Sequence, residues 1–152
     1  VALVRGCNFP DDLWYDVRHH TWYKPEGEGL VRTGMTPVGI ALAREVLVFT
    51  PKRVEREFEK DRSFATVESA KWVGAVRAAF DGTVVAVNET LIAKPTLANT
   101  DCYGLGWMML VRPAAADWSL ALVTGADTAI AYEAWMEAEG FGGCNDATGA
   151  RT

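Results

Sequence analysis

Short apolar runs broken by Gly, Pro and acidic positions recur along most of the chain, the pattern of many short strands joined by tight turns. Val1 to Val17 is apolar around a turn signal at Asn8-Phe9-Pro10-Asp11-Asp12. His20 to Lys24 reads as a strand, Pro25-Glu26-Gly27-Glu28-Gly29 as a hairpin turn, and Leu30 to Met35 as the returning strand. Val38 to Ala43 fits a short helix or a turn. Val46 to Thr50 is a continuous β-branched and aromatic run, expected to be a buried strand. The charged stretch Lys52 to Arg62 predicts an exposed helix or loop with i,i+4 pairs. Phe64 to Val67, Trp72 to Val76, Thr83 to Val87 and Trp107 to Arg112 predict further strands, the last opened by Gly104-Leu105-Gly106 and closed by Pro113. The period then changes. Asp127 offers an N-cap, Ile130, Ala131, Ala134, Trp135 and Ala138 form one helical stripe, and Gly140 is a stop. The elements predict a mainly β sandwich or barrel with short helices and a C-terminal helix, its core supplied by Val46, Val48, Val67, Val84, Val87 and Trp107. The expected division is one domain over residues 1–140 and a flexible tail over 141–152.

At 152 residues the chain has the length of one domain. Fifteen Lys+Arg against twenty Asp+Glu leave a net charge of −5, which argues against a nucleic-acid grip based on phosphate neutralisation. Hydrophobic residues make up 49% of the chain, which excludes a wholly disordered protein. No apolar run approaches the about 18 residues of a membrane span. Val1 to Val4 is interrupted by Arg5, so no secretory signal is expected. Cys7, Cys102 and Cys144 are odd in number, far apart and without a CxxC. They predict neither a zinc site nor a disulfide framework, but reduced thiols in a cytoplasmic protein.

Candidate chemistry is sparse. His19 and His20 are adjacent and in a strand would point to opposite faces, so they do not form a metal pair. No serine lies in a GxSxG elbow, and Gly104-Leu105-Gly106 lacks the third glycine of a dinucleotide loop. No catalytic residue and no metal site is expected. One arrangement remains: Thr66-Val67-Glu68-Ser69-Ala70-Lys71-Trp72-Val73 places Lys71 at the tip of a hairpin, with its side chain in water. By residue type alone this is an ordinary solvated turn lysine.

The sequence around it changes that reading. Glu68-Ser69-Ala70-Lys71, followed by Gly82-Thr83-Val84-Val85-Ala86-Val87-Asn88-Glu89, resembles the lipoyl-attachment region of the glycine cleavage system H protein family. His20-Thr21-Trp22, Gly34-Met35-Thr36, Tyr103-Gly104-Leu105-Gly106-Trp107 and Ala131-Tyr132-Glu133-Ala134-Trp135 match further family segments in order. The resemblance covers roughly residues 13–138. It implies a flattened β-barrel or hybrid-motif sandwich of the lipoyl-carrier type. It implies lipoic acid attached as an amide to Lys71, with Glu68 and Ser69 guiding the modifying enzyme and shaping the hairpin; Trp72, beside the anchor, offers the arm an apolar surface to rest on. The chain would then be a non-catalytic, monomeric carrier whose arm holds a group covalently between enzymes. A biotin carrier would have methionines beside the lysine, where Ala70 and Trp72 stand.

The chain departs from the family at identifiable places. Ala43-Arg44-Glu45 stands for Leu-Gly-Asp, Glu55 and Asp61 stand for glycines, Trp72 for a small residue and Cys102 for a proline. These changes cluster around the attachment site and the surfaces that meet partners; Arg5 to Leu13, together with Glu68-Ser69-Ala70-Lys71-Trp72-Val73, resembles the H-protein-like lipoate-binding proteins of the heterodisulfide-reductase-like sulfur-oxidation system. The implied partners are a lipoate ligase or equivalent, that sulfur-oxidising complex, and dihydrolipoamide dehydrogenase. The alternatives are a glycine cleavage H protein serving the P and T proteins, and an unmodified β-barrel interaction module.

Overall fold

Alternate burial along short strands builds two facing antiparallel sheets. The structure, a computed structural model, describes residues 1–144. In chain order the elements are β1 (Ala2–Val4), β2 (Cys7–Phe9), β3 (Trp14–Asp16), β4 (Thr21–Gly27), β5 (Leu30–Met35), α1 (Pro37–Ala43), β6 (Val48–Pro51), β7 (Glu57–Phe58), β8 (Ser63–Glu68), β9 (Val73–Arg77), β10 (Gly82–Val87), α2 (Glu89–Ala93), α3 (Leu97–Thr100), β11 (Met109–Pro113), β12 (Val123–Thr124) and α4 (Ala126–Glu139). The larger sheet runs β12-β3-β4-β5-β11-β10-β7, the smaller β6-β8-β9, and β1-β2 pair alone. None of these sheets closes on itself, and the mainly β architecture with short helices and a C-terminal helix stands as expected.

Strand alternation divides the core in two. On β4, Tyr23 points into the cluster between the sheets, with Phe49, Phe64, Val67, Val76, Val84 and Met109. Its neighbour Trp22 points the other way, into a second cluster with Phe9, Tyr15, Val38, Tyr132 and Met136 under α4. Gly34 lies opposite Trp22 in the ladder, and a Cβ there would lie 2.8 Å from the indole ring. Asn88 joins local and distant structure. Its Oδ1 accepts from Thr90 N and Leu91 N to cap α2, while Nδ2 donates to Leu105 O and Trp107 O at 2.8 and 2.7 Å. No helix among the described residues is long and apolar enough to cross a membrane.

Several expectations are corrected. The run 46–50 is not a continuously buried strand: β6 begins at Val48, an edge position 41% exposed, although Val46 is buried. Val87 and Trp107 are only partly buried at the margins of the clusters. The stretch 52–62 forms no helix. It turns through positive φ at Glu55 and Asp61, held by Glu55 N→Val84 O at 2.7 Å and Asp61 N→Ala78 O at 2.8 Å. On α4 the buried face is Thr128, Tyr132 and Met136, with Ile130 exposed, because Tyr132 reaches His20 and Thr36 inside the fold. The N-cap is Gly125, not Asp127, while Gly140 ends the helix in the left-handed region as expected. Cys7 and Cys144 are not free thiols. They form a disulfide across 137 residues, because β2 and the turn after α4 meet at the same edge; sequence spacing carries no sign of that. The expected tail is therefore anchored as far as Cys144, also through Phe141 N→Met136 O and Cys144 N→Arg5 O. Its remainder, residues 145–152, lies outside the described residues.

The histidines are in a turn, not a strand. His19 Nδ1 pairs with Asp16 Oδ2 at 2.7 Å, whereas His20, at φ 59°, turns inward onto Tyr132 OH at 3.2 Å and stacks edge-on to Trp135. Burial lowers the His20 pKa to about 4, against a partial opposing pull from Asp16, and His19 lowers it further. An unfolded histidine titrates near about 6.5. Between those values the unfolded chain binds a proton that the folded chain refuses. Stability is thus fully present above pH 6.5 and falls as pH drops through the window, by up to about 3 kcal/mol. Urea unfolding of wild type and His20→Gln at pH 7 and pH 4.5 should show a smaller acid loss in the variant. Equal losses would mean that His20 is not the group responsible.

Candidate functional site

The β8–β9 hairpin carries the site. Its register pairs Ala65 with Val76, Val67 with Gly74 and Glu68 with Val73, leaving residues 69–72 as the tip. Ser69 N donates to Trp72 O at 2.9 Å, and Lys71 N lies 3.4 Å from Ser69 Oγ, which closes the turn with Ala70 and Lys71 at its apex. Lys71 is exposed. Positions 72, 74 and 76 alternate onto the face that packs against the core. Gly74 has no side chain, and the Trp72 ring occupies the space its Cβ would fill. The ring is 40% exposed and lies beside the lysine.

A surface hollow of about 330 Å³ adjoins the tip, lined by Arg44, Glu45, Ser69, Ala70, Lys71 and Trp72. Its far wall is the loop after α1. Asn99 fixes that loop from α3: Nδ2 donates to Arg44 O at 2.7 Å, and Oδ1 accepts from Val46 N at 2.9 Å. Leu47 N→Glu68 O, at 2.8 Å, ties the loop to the hairpin. Arg44 itself has φ 64° and ψ −149°, a region where only glycine is at ease. Its exposed side chain makes no ion pair among the described residues.

Of the residues singled out from sequence, Ser69, Lys71 and Trp72 meet in the hollow. Glu68 stands one pair back at the end of β8, half-buried, and does not line it. Arg44 and Glu45, marked in the sequence by the break in the Leu-Gly-Asp pattern, line the hollow, whereas Gly74 and Asn99 were not anticipated as parts of the site. No cluster of three metal-ligating side chains occurs among the described residues. A second, apolar groove of about 720 Å³ runs along β6 and α2 past Leu47, Val48, Val54 and Ile92.

The packing of Trp72 on Gly74 is testable. In Gly74→Ala the new Cβ should drive the ring into water, with a stability change of no more than about 1 kcal/mol. Acrylamide quenching, measured as the difference from a Trp72→Phe control, should rise. Unchanged quenching would show that the ring does not rest there.

Similarity to known proteins shows the family. The sequence profile of the family described as "Glycine cleavage H-protein" matches residues 13–135. "Glycine cleavage system H protein 5" of Aquifex aeolicus is 41% identical over 133 residues, 85% of this chain and 89% of that protein. "Glycine cleavage system H protein 2" of the same organism is 38% identical, covering 91% and 87%. "Probable glycine cleavage system H protein 3" of Sulfolobus acidocaldarius is 41% identical over 105 residues, 68% of this chain and 71% of the relative. Among solved structures, a glycine cleavage system H protein from Mycobacterium marinum superposes with a TM-score of 0.71 at 28% identity, over 83% of this chain and 99% of its own. H proteins carry a lipoyl group on a lysine and work with P and T proteins and the lipoylation machinery. The chain belongs to the glycine cleavage H-protein family and is a lipoyl carrier of that type.

Proposed function

We propose that Lys71 is the lysine that carries the lipoyl group, and that the chain shuttles a covalently held group between partner enzymes without breaking bonds itself. The observation that carries this reading is an exposed lysine at the apex of a hydrogen-bonded hairpin, beside a hollow with an apolar ring for a wall. The residues suit the group. An ε-amine in water is open to acylation, the Trp72 face matches an aliphatic arm, and Ser69 Oγ holds the tip backbone. Bound there, the group would supply a dithiol that holds the cargo. The chain supplies the anchor and its orientation, and tethering keeps the intermediate at a high effective concentration near each partner.

Two cargoes compete. The relatives' names favour the aminomethyl group of glycine cleavage, handed from P protein to T protein, with dihydrolipoamide dehydrogenase reoxidising the arm. The local chemistry favours a second reading, sulfane sulfur exchanged with a heterodisulfide-reductase-like complex. Acylation removes the Lys71 charge and leaves Arg44 as the cation of the hollow, with Glu45 beside it. A persulfide anion suits that cation better than an aminomethyl ammonium does. The names of the relatives run to H protein 5, and three of them come from Aquifex aeolicus. Several H-type carriers in one organism leave room for work outside glycine cleavage.

Co-expression with a lipoate ligase should modify wild type and leave Lys71→Arg unmodified, read by intact mass and peptide mapping; Arg keeps the charge but offers no acylable amine. Modification at Lys24 or Lys94, or none, would refute the site. Lipoylated protein should then be compared with an authentic H protein for glycine-dependent CO2 exchange with P protein, and for sulfur loading from polysulfide by mass. Exchange within tenfold of the H protein supports the aminomethyl cargo. A sulfur adduct with exchange reduced more than a hundredfold supports the second.

A further inference from the structure

Behind the wall that Asn99 builds lies a separate recess of about 370 Å³, lined by Pro37, Ala41, Asn99, Cys102 and Cys144 among others. Two cysteines far apart in the chain, Cys102 and Cys144, line it, and the third lies behind Cys144. Cys144 is joined to Cys7, with a Cα–Cα distance of 5.1 Å, and Cys102 is a thiol. The two sulfurs of the bridge are not equivalent: Cys7 is fully buried, whereas Cys144 is partly exposed and lines the recess. A molecule in the recess therefore meets Cys144 and not Cys7.

The recess adjoins the Lys71 hollow. Asn99 lines the recess, and its side chain bonds Arg44 O and Val46 N in the wall of the hollow. Ala41 of the recess and Arg44 of the hollow lie three residues apart at the end of α1, a rise of about 4.5 Å. The two openings thus share the Asn99 side chain and the end of α1 as a common wall.

We propose that this recess is a thiol–disulfide exchange site, at which the Cys7–Cys144 disulfide accepts two electrons from a dithiol. The exchange chemistry stands on the cysteines alone; the identity of the natural donor, the reduced arm on Lys71, rests on the lipoyl-carrier reading. In the first step Cys144 Sγ accepts a thiolate, a new S–S bond forms, and Cys7 leaves as a thiolate that takes up the proton lost by the donor. In the second step the donor's other thiolate attacks its own sulfur in the mixed disulfide, and Cys144 leaves as a thiolate and is protonated. The protein ends with two thiols and the donor with one disulfide, so two electrons and two protons have moved. Cys102 takes no part. Burial and the nearby Asp101 push its thiol up to about 12, so it stays protonated and serves as an internal control.

The experiment has two arms. In the first, Lys71→Arg protein, which has no arm, is incubated anaerobically and natively with free dihydrolipoamide, then alkylated and mapped. Cys7 and Cys144 should gain the label together. With glutathione, a monothiol that closes no ring, the adduct should map to Cys144. Ala41→Trp, which fills the recess, should slow labelling at least tenfold. A bridge that opens only in denaturant, an adduct on Cys7 or Cys102, or no effect of Ala41→Trp would overturn the proposal. In the second arm, lipoylated wild type is reduced with NADH and dihydrolipoamide dehydrogenase, and opening of the bridge is followed by mass. A rate independent of protein concentration assigns the donor to the same chain, whereas a rate that scales with it overturns that assignment. Absence of lipoylation would defeat the carrier reading and leave the first arm standing.

Discussion

The register between β8 and β9 is the constraint on which the site depends. Ala65, Val67 and Val76 are buried against the core, and the ladder pairs them so that the turn falls at residues 69–72. A slip of β9 by one residue would turn its side chains over, bringing Ala75 inward and Val76 outward. That slip would expose the buried Val76 and move Lys71 from the apex. β6 reinforces the register from the other side through Phe49, opposite Val67. The lysine's freedom is thus a product of rigid packing a few residues below it.

Much of this was legible in the residues because it is local. Leu30–Met35 alternates and is bounded by turn residues, and it forms the strand read from the sequence. The lysine hairpin was marked by Glu68-Ser69 and by the Gly82–Glu89 run, whose Asn88 has four hydrogen bonds to make. The illegible parts were set by distant partners. Which stripe of α4 turns inward was decided by the hydroxyl of Tyr132 meeting His20 and Thr36 rather than by apolar count. The disulfide was invisible because 137 residues separate its cysteines. The Trp72 shelf depends on the absence of a side chain two residues on, which only a three-dimensional neighbour relation reveals.

The non-glycine residues at Arg44, Glu55 and Asp61 show how a fold holds backbone that glycine would suit best. Each holds positive φ, at a cost of about 1–2 kcal/mol. Each is pinned by hydrogen bonds from elsewhere: Asn99 for Arg44, Val84 for Glu55 and Ala78 for Asp61. The strain is accepted where a charged side chain results. Asp61 receives Arg18 at 3.1 Å, and Arg44 reaches the mouth of the lysine hollow.

The bridge between Cys7 and Cys144 also makes the chain between them a closed covalent loop. A protease that nicks one exposed turn within that loop would leave a single molecule of unchanged mass apart from one added water, with both cut ends still held by the sheets. Opening the bridge would convert the same nicked molecule into two separable pieces. The number of fragments released would then report the redox state of the two cysteines.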